Sequence, residues 1–242
     1  MSNTTYKIQA FIDEFIKKDK FTKEDIYKYF LKININYSKG ALKSKIHRLK
    51  KSNIIKSVSR GVYTISKKTY YTISPDSFIK KIIKKFLKRY EDVNYCVWNT
   101  MWLNEFMIQQ PFKSFYVFET EKEVSESVFH WFRDNNIMAY LNPNQEMIQE
   151  YVMQEKNTII IKPVITRAPI QKVEEVQIPE IEKILVDLFC EQNLFYVHSG
   201  SELKNIFKYS NERYIINYTT LYSYARRRGK EEALKQFVSK IK

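Results

Sequence analysis

The stretch Ser38-Lys-Gly-Ala-Leu-Lys-Ser-Lys-Ile-His-Arg-Leu-Lys-Lys-Ser-Asn-Ile-Ile-Lys-Ser-Val-Ser-Arg-Gly-Val-Tyr-Thr-Ile65 decides how this chain is read. Leu42, Ile46 and Leu49 recur at i, i+4 and i+7, a spacing that seats one narrow apolar stripe of a helix on a core. At about 100° per residue, Lys39, Lys43, His47, Lys50 and Lys51 then share a different, outward face. After Asn53 the period changes: Ile54-Ile55, Val58, Val62-Tyr63 and Ile65 are strand formers, and Ser59-Arg60-Gly61 between them signals a hairpin turn. A basic helix followed at once by a short ribbon tipped with arginine reads as the recognition half of a winged helix-turn-helix.

Such residues suit the phosphate lattice of a duplex. A helix fits the major groove, and cations on its open face release counterions from the backbone they approach. From Lys39 to Arg60 there are eight Lys or Arg and no acid. The competing reading is a solvated basic helix and hairpin that bind nothing, since charge runs are common on surfaces. His47 fits either a base contact or a solvated position.

The charge of the whole chain sharpens this. Of the net +14, residues 1–90 hold 23 Lys or Arg against 6 Asp or Glu, whereas residues 91–242 hold 18 against 21. Cations confined to one block point to a module that meets a polyanion, with a different partner for the rest. With 242 residues and 44% hydrophobic content, two modest cores are expected. No run approaches the roughly 18 apolar residues of a membrane span, and the first residues lack the apolar centre of a signal peptide, so a soluble cytoplasmic protein is expected. Cys96 and Cys190 sit in apolar segments without metal-ligand spacing and are read as buried thiols.

The remaining elements follow in order. Ile8, Phe11, Ile12, Phe15 and Ile16 predict an amphipathic helix over 5–18, and Thr22 with Asp25 a capping box for a second helix to about Leu31, with Ile26, Tyr29 and Phe30 inward. Residues 33–37 form a short connection, and Ser38 caps the third helix. Ser74-Pro75-Asp76 opens a further helix with Ser74 as cap, Phe78, Ile79, Ile82, Ile83, Phe86 and Leu87 buried and Lys80, Lys81, Lys84, Lys85 and Lys88 outside. That outer face serves either a solvated linker or a supplementary phosphate contact. Strands are expected at 95–98, 114–118, 138–141 and 158–161, with helices from Asn99 or Thr100 to Met107, over 123–133 and around 147–152. Residues 166–177 read as a polar connection. Pro179 starts a helix, and helices follow at 202–209, at 219–228 closed by Gly229, and at 231–241. The fold class is therefore α+β. A winged helix-turn-helix (1–70) leads through a basic connecting helix (71–90) into a mixed α/β domain with a helical carboxy-terminal layer (91–242).

Catalytic signatures are thin. There is no phosphate-binding glycine loop, dinucleotide fingerprint or nucleophile elbow, and His47, His130 and His198 are isolated from one another and from both cysteines, so neither metal nor cofactor is expected. Glu119, Glu121 and Lys122 invite a metal-dependent nuclease reading. However, adjacent Glu121 and Lys122 would point to opposite sides of a strand, and no Gly-Ser loop precedes the carboxylates as nucleotidyl transfer would want. Arg226, Arg227 and Arg228 fan over roughly 200° of a helix, suiting either a cationic last turn or the docking of an acidic protein or RNA.

The run Ser59-Arg-Gly-Val-Tyr-Thr-Ile65 resembles the wing of the AbiEi-type antitoxins. Three further blocks look like a branch of that family: Tyr95-Cys-Val-Trp-Asn-Thr-Met-Trp-Leu-Asn-Glu-Phe-Met107, Pro179-Glu-Ile-Glu-Lys-Ile-Leu-Val-Asp-Leu-Phe189 and Tyr224-Ala-Arg-Arg-Arg-Gly229. The resemblance implies a non-enzymatic, DNA-binding autorepressor of a two-gene toxin–antitoxin (abortive-infection) operon, opposing a nucleotidyltransferase-like toxin. Its DNA face would comprise Lys39, Lys43, Ser44, His47, Lys50, Lys51 and Arg60. Two alternatives stand beside it: a nuclease or nucleotidyltransferase delivered by the basic module, and a plain regulator whose carboxy-terminal domain senses a ligand or mediates assembly.

Overall fold

The computed structural model describes residues 3–33, 38–52, 54–66 and 68–241, and every element below lies among them. In α1 (Asn3–Phe15), Phe11, Ile12 and Phe15 are buried, while Ile16 falls just past the helix end and is exposed. The two residues of β1 (Phe21–Thr22) lead directly into α2 (Lys23–Ile33). There the expected capping box is in place: the Thr22 amide donates to Asp25 Oδ2 at 2.8 Å, and the Asp25 amide donates back to Thr22 Oγ1 at 3.2 Å. Ile26 is buried, and the half-buried rings of Tyr29 and Phe30 pack on Phe11. The connection read over 33–37 lies, from Asn34 to Tyr37, outside the described residues.

Ser38 accepts from the Ala41 amide at 3.1 Å and so starts α3 (Lys39–Lys51), whose Leu42, Ile46 and Leu49 enter the same core. β2 (Ile55–Ser59) and β3 (Val62–Ile65) form an antiparallel hairpin turning on Arg60-Gly61, with Gly61 at φ +79° where a side chain would be strained. A bulge between Ser57 and Ser59 leaves Val58 exposed. The sheet order is β1-β3-β2. Residues 1–70 form a unit together with 211–217, a segment that sequence reading placed in the other domain. The Ile215 amide donates to Thr69 O at 2.9 Å, and the Ile215 side chain joins the core of Phe11 and Leu42.

The second unit comprises 71–210 and 218–242. It opens with α4 (Ser77–Arg89), whose cap is Asp76 rather than Ser74, the carboxylate accepting from the Ile79 amide at 2.8 Å. A four-stranded mixed sheet follows in the order β4-β5-β7-β6. β4 (Tyr95–Asn99) pairs antiparallel with β5 (Tyr116–Thr120), and β6 (Ala139–Leu141) and β5 both pair parallel with β7 (Ile159–Pro163). Asn99 caps a 3₁₀ segment, Thr100–Phe106, and α5 (Ser125–Asp134) and α6 (Gln145–Met147) lie between strands, α6 continuing into a π turn. Phe118 meets Phe86 of α4 at 5.0 Å and Phe132 of α5 at 5.1 Å, so these helices cover one face of the sheet.

The expected polar connection after β7 is a hairpin, β8 (Ile170–Val173) and β9 (Val176–Pro179), so Pro179 ends a strand instead of starting a helix. Beyond it come α7 (Ile181–Cys190), α8 (Gly200–Arg213), α9 (Tyr218–Arg227) and α10 (Glu231–Ser239). Gly229 closes α9 at φ +66°, with the Lys230 amide reaching Ala225 O at 2.9 Å. Among the described residues, no helix is long and apolar enough to cross a membrane.

Candidate nucleic-acid interface

α3 owes its orientation to its buried stripe. Leu42, Ile46 and Leu49 are 2%, 7% and 2% exposed, which forces the opposite arc outward. On that arc Lys43, Ser44, His47 and Lys50 are exposed, and so is Arg48, which sequence reading left out although it lies only about 40° from Ser44. Lys39 and Lys51 also belong to α3, but their side chains are outside what is described. Lys45 turns aside, its Nζ 5.3 Å from the centre of the Phe30 ring.

The adjoining hairpin adds Lys56 on β2 and Arg60 at the turn, both exposed, with β2 at the sheet edge. Between Asp25 and Asp76 the sequence has no acid at all. Accordingly, none of Lys43, Arg48, Lys50, Lys56 or Arg60 forms an ion pair with another described residue. Exposed cations without an ion-pair partner among the described residues attract a polyanion, and the planar guanidinium groups of Arg48 and Arg60 suit phosphate oxygens.

The second unit contains a contrasting cluster of charges, buried between β5, β7, α7 and α9. Lys183, fully buried, places Nζ 2.6 and 2.8 Å from the two Glu119 carboxylate oxygens and 2.5 Å from Asp187 Oδ2. Asp187 Oδ1 accepts from Tyr224 Oη at 2.9 Å and Arg228 Nη1 at 2.6 Å, while Arg228 Nη2 donates to Glu191 Oε1 at 2.6 Å. Glu191 also pairs with Lys162, the register partner of Glu119 on the neighbouring strand. Three acids face three bases, so the group is neutral as a whole. Burial opposes the Lys183 charge, but Asp187 and Glu119 more than offset it and hold its pKa well above the ordinary value. Burial would raise Asp187, yet Lys183, Lys162 and Arg228 hold it low, whereas burial together with Asp187 pushes Glu119 up against the pull of Lys183. Lys183 and Asp187 stand four apart in α7 with only Ile184, Leu185 and Val186 between them, the one sequence signal of the cluster.

Residues 41–242 match the model of a family described as a family of unknown function, DUF6577. The chain belongs to the DUF6577 family. No curated protein matches it. The matched region begins within α3 and takes in Lys43 to Lys50, the hairpin and the whole second unit of this DUF6577 chain.

The three arginines read as one surface are separated by this arrangement. Arg226 pairs at 2.5 Å with Glu231, Arg227 lies 3.4 Å from Thr166 Oγ1, and Arg228 turns inward to Asp187 and Glu191. Arg228 is therefore half-buried and drawn into the charged cluster by Asp187 and Glu191, whereas Arg226 and Arg227 are exposed. The carboxylates of the nuclease alternative likewise diverge: Glu119 is held by Lys183, and Glu121 accepts from the Asn94 amide at 3.2 Å and from Asn94 Nδ2 at 2.7 Å. The cluster nears the surface at Glu191, which lines a cleft of about 600 Å³ with Asn144, Gln145, Cys190 and Lys230.

Proposed function

We propose that the first unit is a winged helix that binds duplex DNA, with α3 in the major groove and the β2–β3 hairpin as its wing, and that the protein represses transcription of its own operon. The observation that carries this reading is the set Lys43, Arg48, Lys50, Lys56 and Arg60, without an ion pair among the described residues and in an acid-free stretch, presented with His47 on one helix and the ribbon beside it. The AbiEi-like blocks of the second unit support an antitoxin role, opposing a nucleotidyltransferase-like toxin from a neighbouring gene. That role requires no catalysis from this chain.

A gel-shift titration with the duplex upstream of its own gene tests the DNA reading. The full chain shifts the duplex, and Lys43→Glu with Lys50→Glu abolishes the shift while leaving the circular dichroism unchanged. An unaltered shift in that variant overturns it. Co-expression with the neighbouring gene tests the antitoxin role separately: the same variant still restores growth to cells carrying a toxic neighbour, and a harmless neighbour removes the role.

The cleft at the end of α7 favours a second reading, a regulator whose operator affinity responds to a small polar molecule held near Glu191 and Lys230. Operator affinity that stays the same with and without a cell extract of small molecules would dismiss it.

A further inference from the structure

The basic residues of α4 have a geometry of their own. Its 13 residues hold Lys80, Lys81, Lys84, Lys85, Lys88 and Arg89 and no acid. Lys80 pairs with Glu174 at 2.7 Å, but Lys81, Lys84, Lys85 and Lys88 are exposed and form no ion pair with any described residue. At i, i+3, i+4 and i+7 these four share an arc of about 100°. Every neighbouring pair within the arc is a like-charge pair at the spacing where repulsion disfavours a helix. A row of mutually repelling, unpartnered cations is relieved by an opposing row of anions.

The row is about 10 Å long, a rise over which a duplex presents roughly six phosphates. Insertion of α4 into a membrane interface would need its apolar side free, and that side is spent: Ile79, Ile82, Ile83 and Phe86 are 0%, 2%, 3% and 0% exposed. We infer that Lys81, Lys84, Lys85 and Lys88 form a second nucleic-acid contact, a sequence-independent phosphate grip carried by the second unit and additional to the α3 face. The inference shares with the proposed function only the class of ligand.

The test is the salt dependence of binding, measured by fluorescence anisotropy on a duplex of about 30 base pairs, where each phosphate contact contributes roughly 0.9 to the slope of log K against log salt. In the full chain, replacing all four lysines by Gln makes the slope shallower by about 2 to 4, and replacing them by Arg restores it, because a phosphate grip needs only the charge. The circular dichroism of both variants matches the parent, since all four side chains are exposed. A parental slope in the Gln variant overturns the inference while leaving the α3 reading intact, provided Lys43→Glu with Lys50→Glu still abolishes binding. Absence of duplex binding by the parent overturns both. Sedimentation with phosphatidylserine vesicles that is lost in the Gln variant, with duplex affinity unchanged, replaces it with a membrane contact.

Discussion

Replacing Lys183 by Met removes the cation shared by the buried carboxylates of Glu119 and Asp187 and leaves the cluster one negative charge in excess. Lys183 has no exposed surface, so water cannot make good the loss, and breaking a buried pair of this kind costs about 3–5 kcal/mol. For a chain of this size, at roughly 2–4 °C per kcal/mol, the thermal midpoint falls by about 10 °C. Calorimetric melts of parent and variant at pH 7 measure it. Adding Glu119→Gln removes the excess charge and recovers part of the loss, although it deletes a further polar contact. The pH dependence carries the same logic: without Lys183, the Glu119 pKa rises further in the folded state, so folding takes up a proton and the deficit narrows as pH falls towards about 5. A loss below about 1 kcal/mol at pH 7, with no recovery on acidification or in the double variant, would refute the view that this cluster is a single compensated unit.

His198 is buried and its pKa is depressed by burial to about 4, from an ordinary 6.5. The unfolded chain therefore binds the extra proton between those values, so stability is full above about pH 6.5 and falls by up to roughly 3 kcal/mol on approach to pH 4. Urea titrations at pH 7 and 4.5 should show this loss in the parent and a smaller one in His198→Phe; an identical loss in both would remove His198 as its source. The β8–β9 turn places Glu174 at φ +47° and Glu175 at φ +66°, which side chains adopt reluctantly. Glu175→Gly should raise stability by about 0.5–1 kcal/mol in the same titrations, since its ion pair with Lys172 is largely exposed and contributes little. A destabilised glycine variant would contradict that account of the turn.

Local chemistry was the legible part of this chain. Thr22 with Asp25, Ser38 and Gly229 each satisfy backbone groups within a few residues of themselves, and each stands where its sequence context places it. Asp76 displaced Ser74 as a cap because α4 starts two residues later than Ser74 would place it, with the Asp76 carboxylate on the Ile79 amide. The β8–β9 hairpin went unseen because its turn is Glu174-Glu175, without the Asn-Gly or Asp-Gly that such a turn prefers. The two residues of β1 carry too little pattern to read, and nothing in the composition of 211–217 ties it to the first unit; its bond to Thr69 spans the chain. The basic face of α3 follows from helical period alone. The charged cluster does not, because Glu119 and Lys183 meet only once β5 and α7 are packed together.

The most direct test of the central claim is backbone hydrogen exchange of the full chain with and without the duplex upstream of its gene. Slowed exchange on added duplex, concentrated in α3 and the β2–β3 hairpin around Arg60, is the predicted result. Protection confined to the second unit with α3 and the hairpin unchanged, at duplex concentrations that saturate binding, would contradict it.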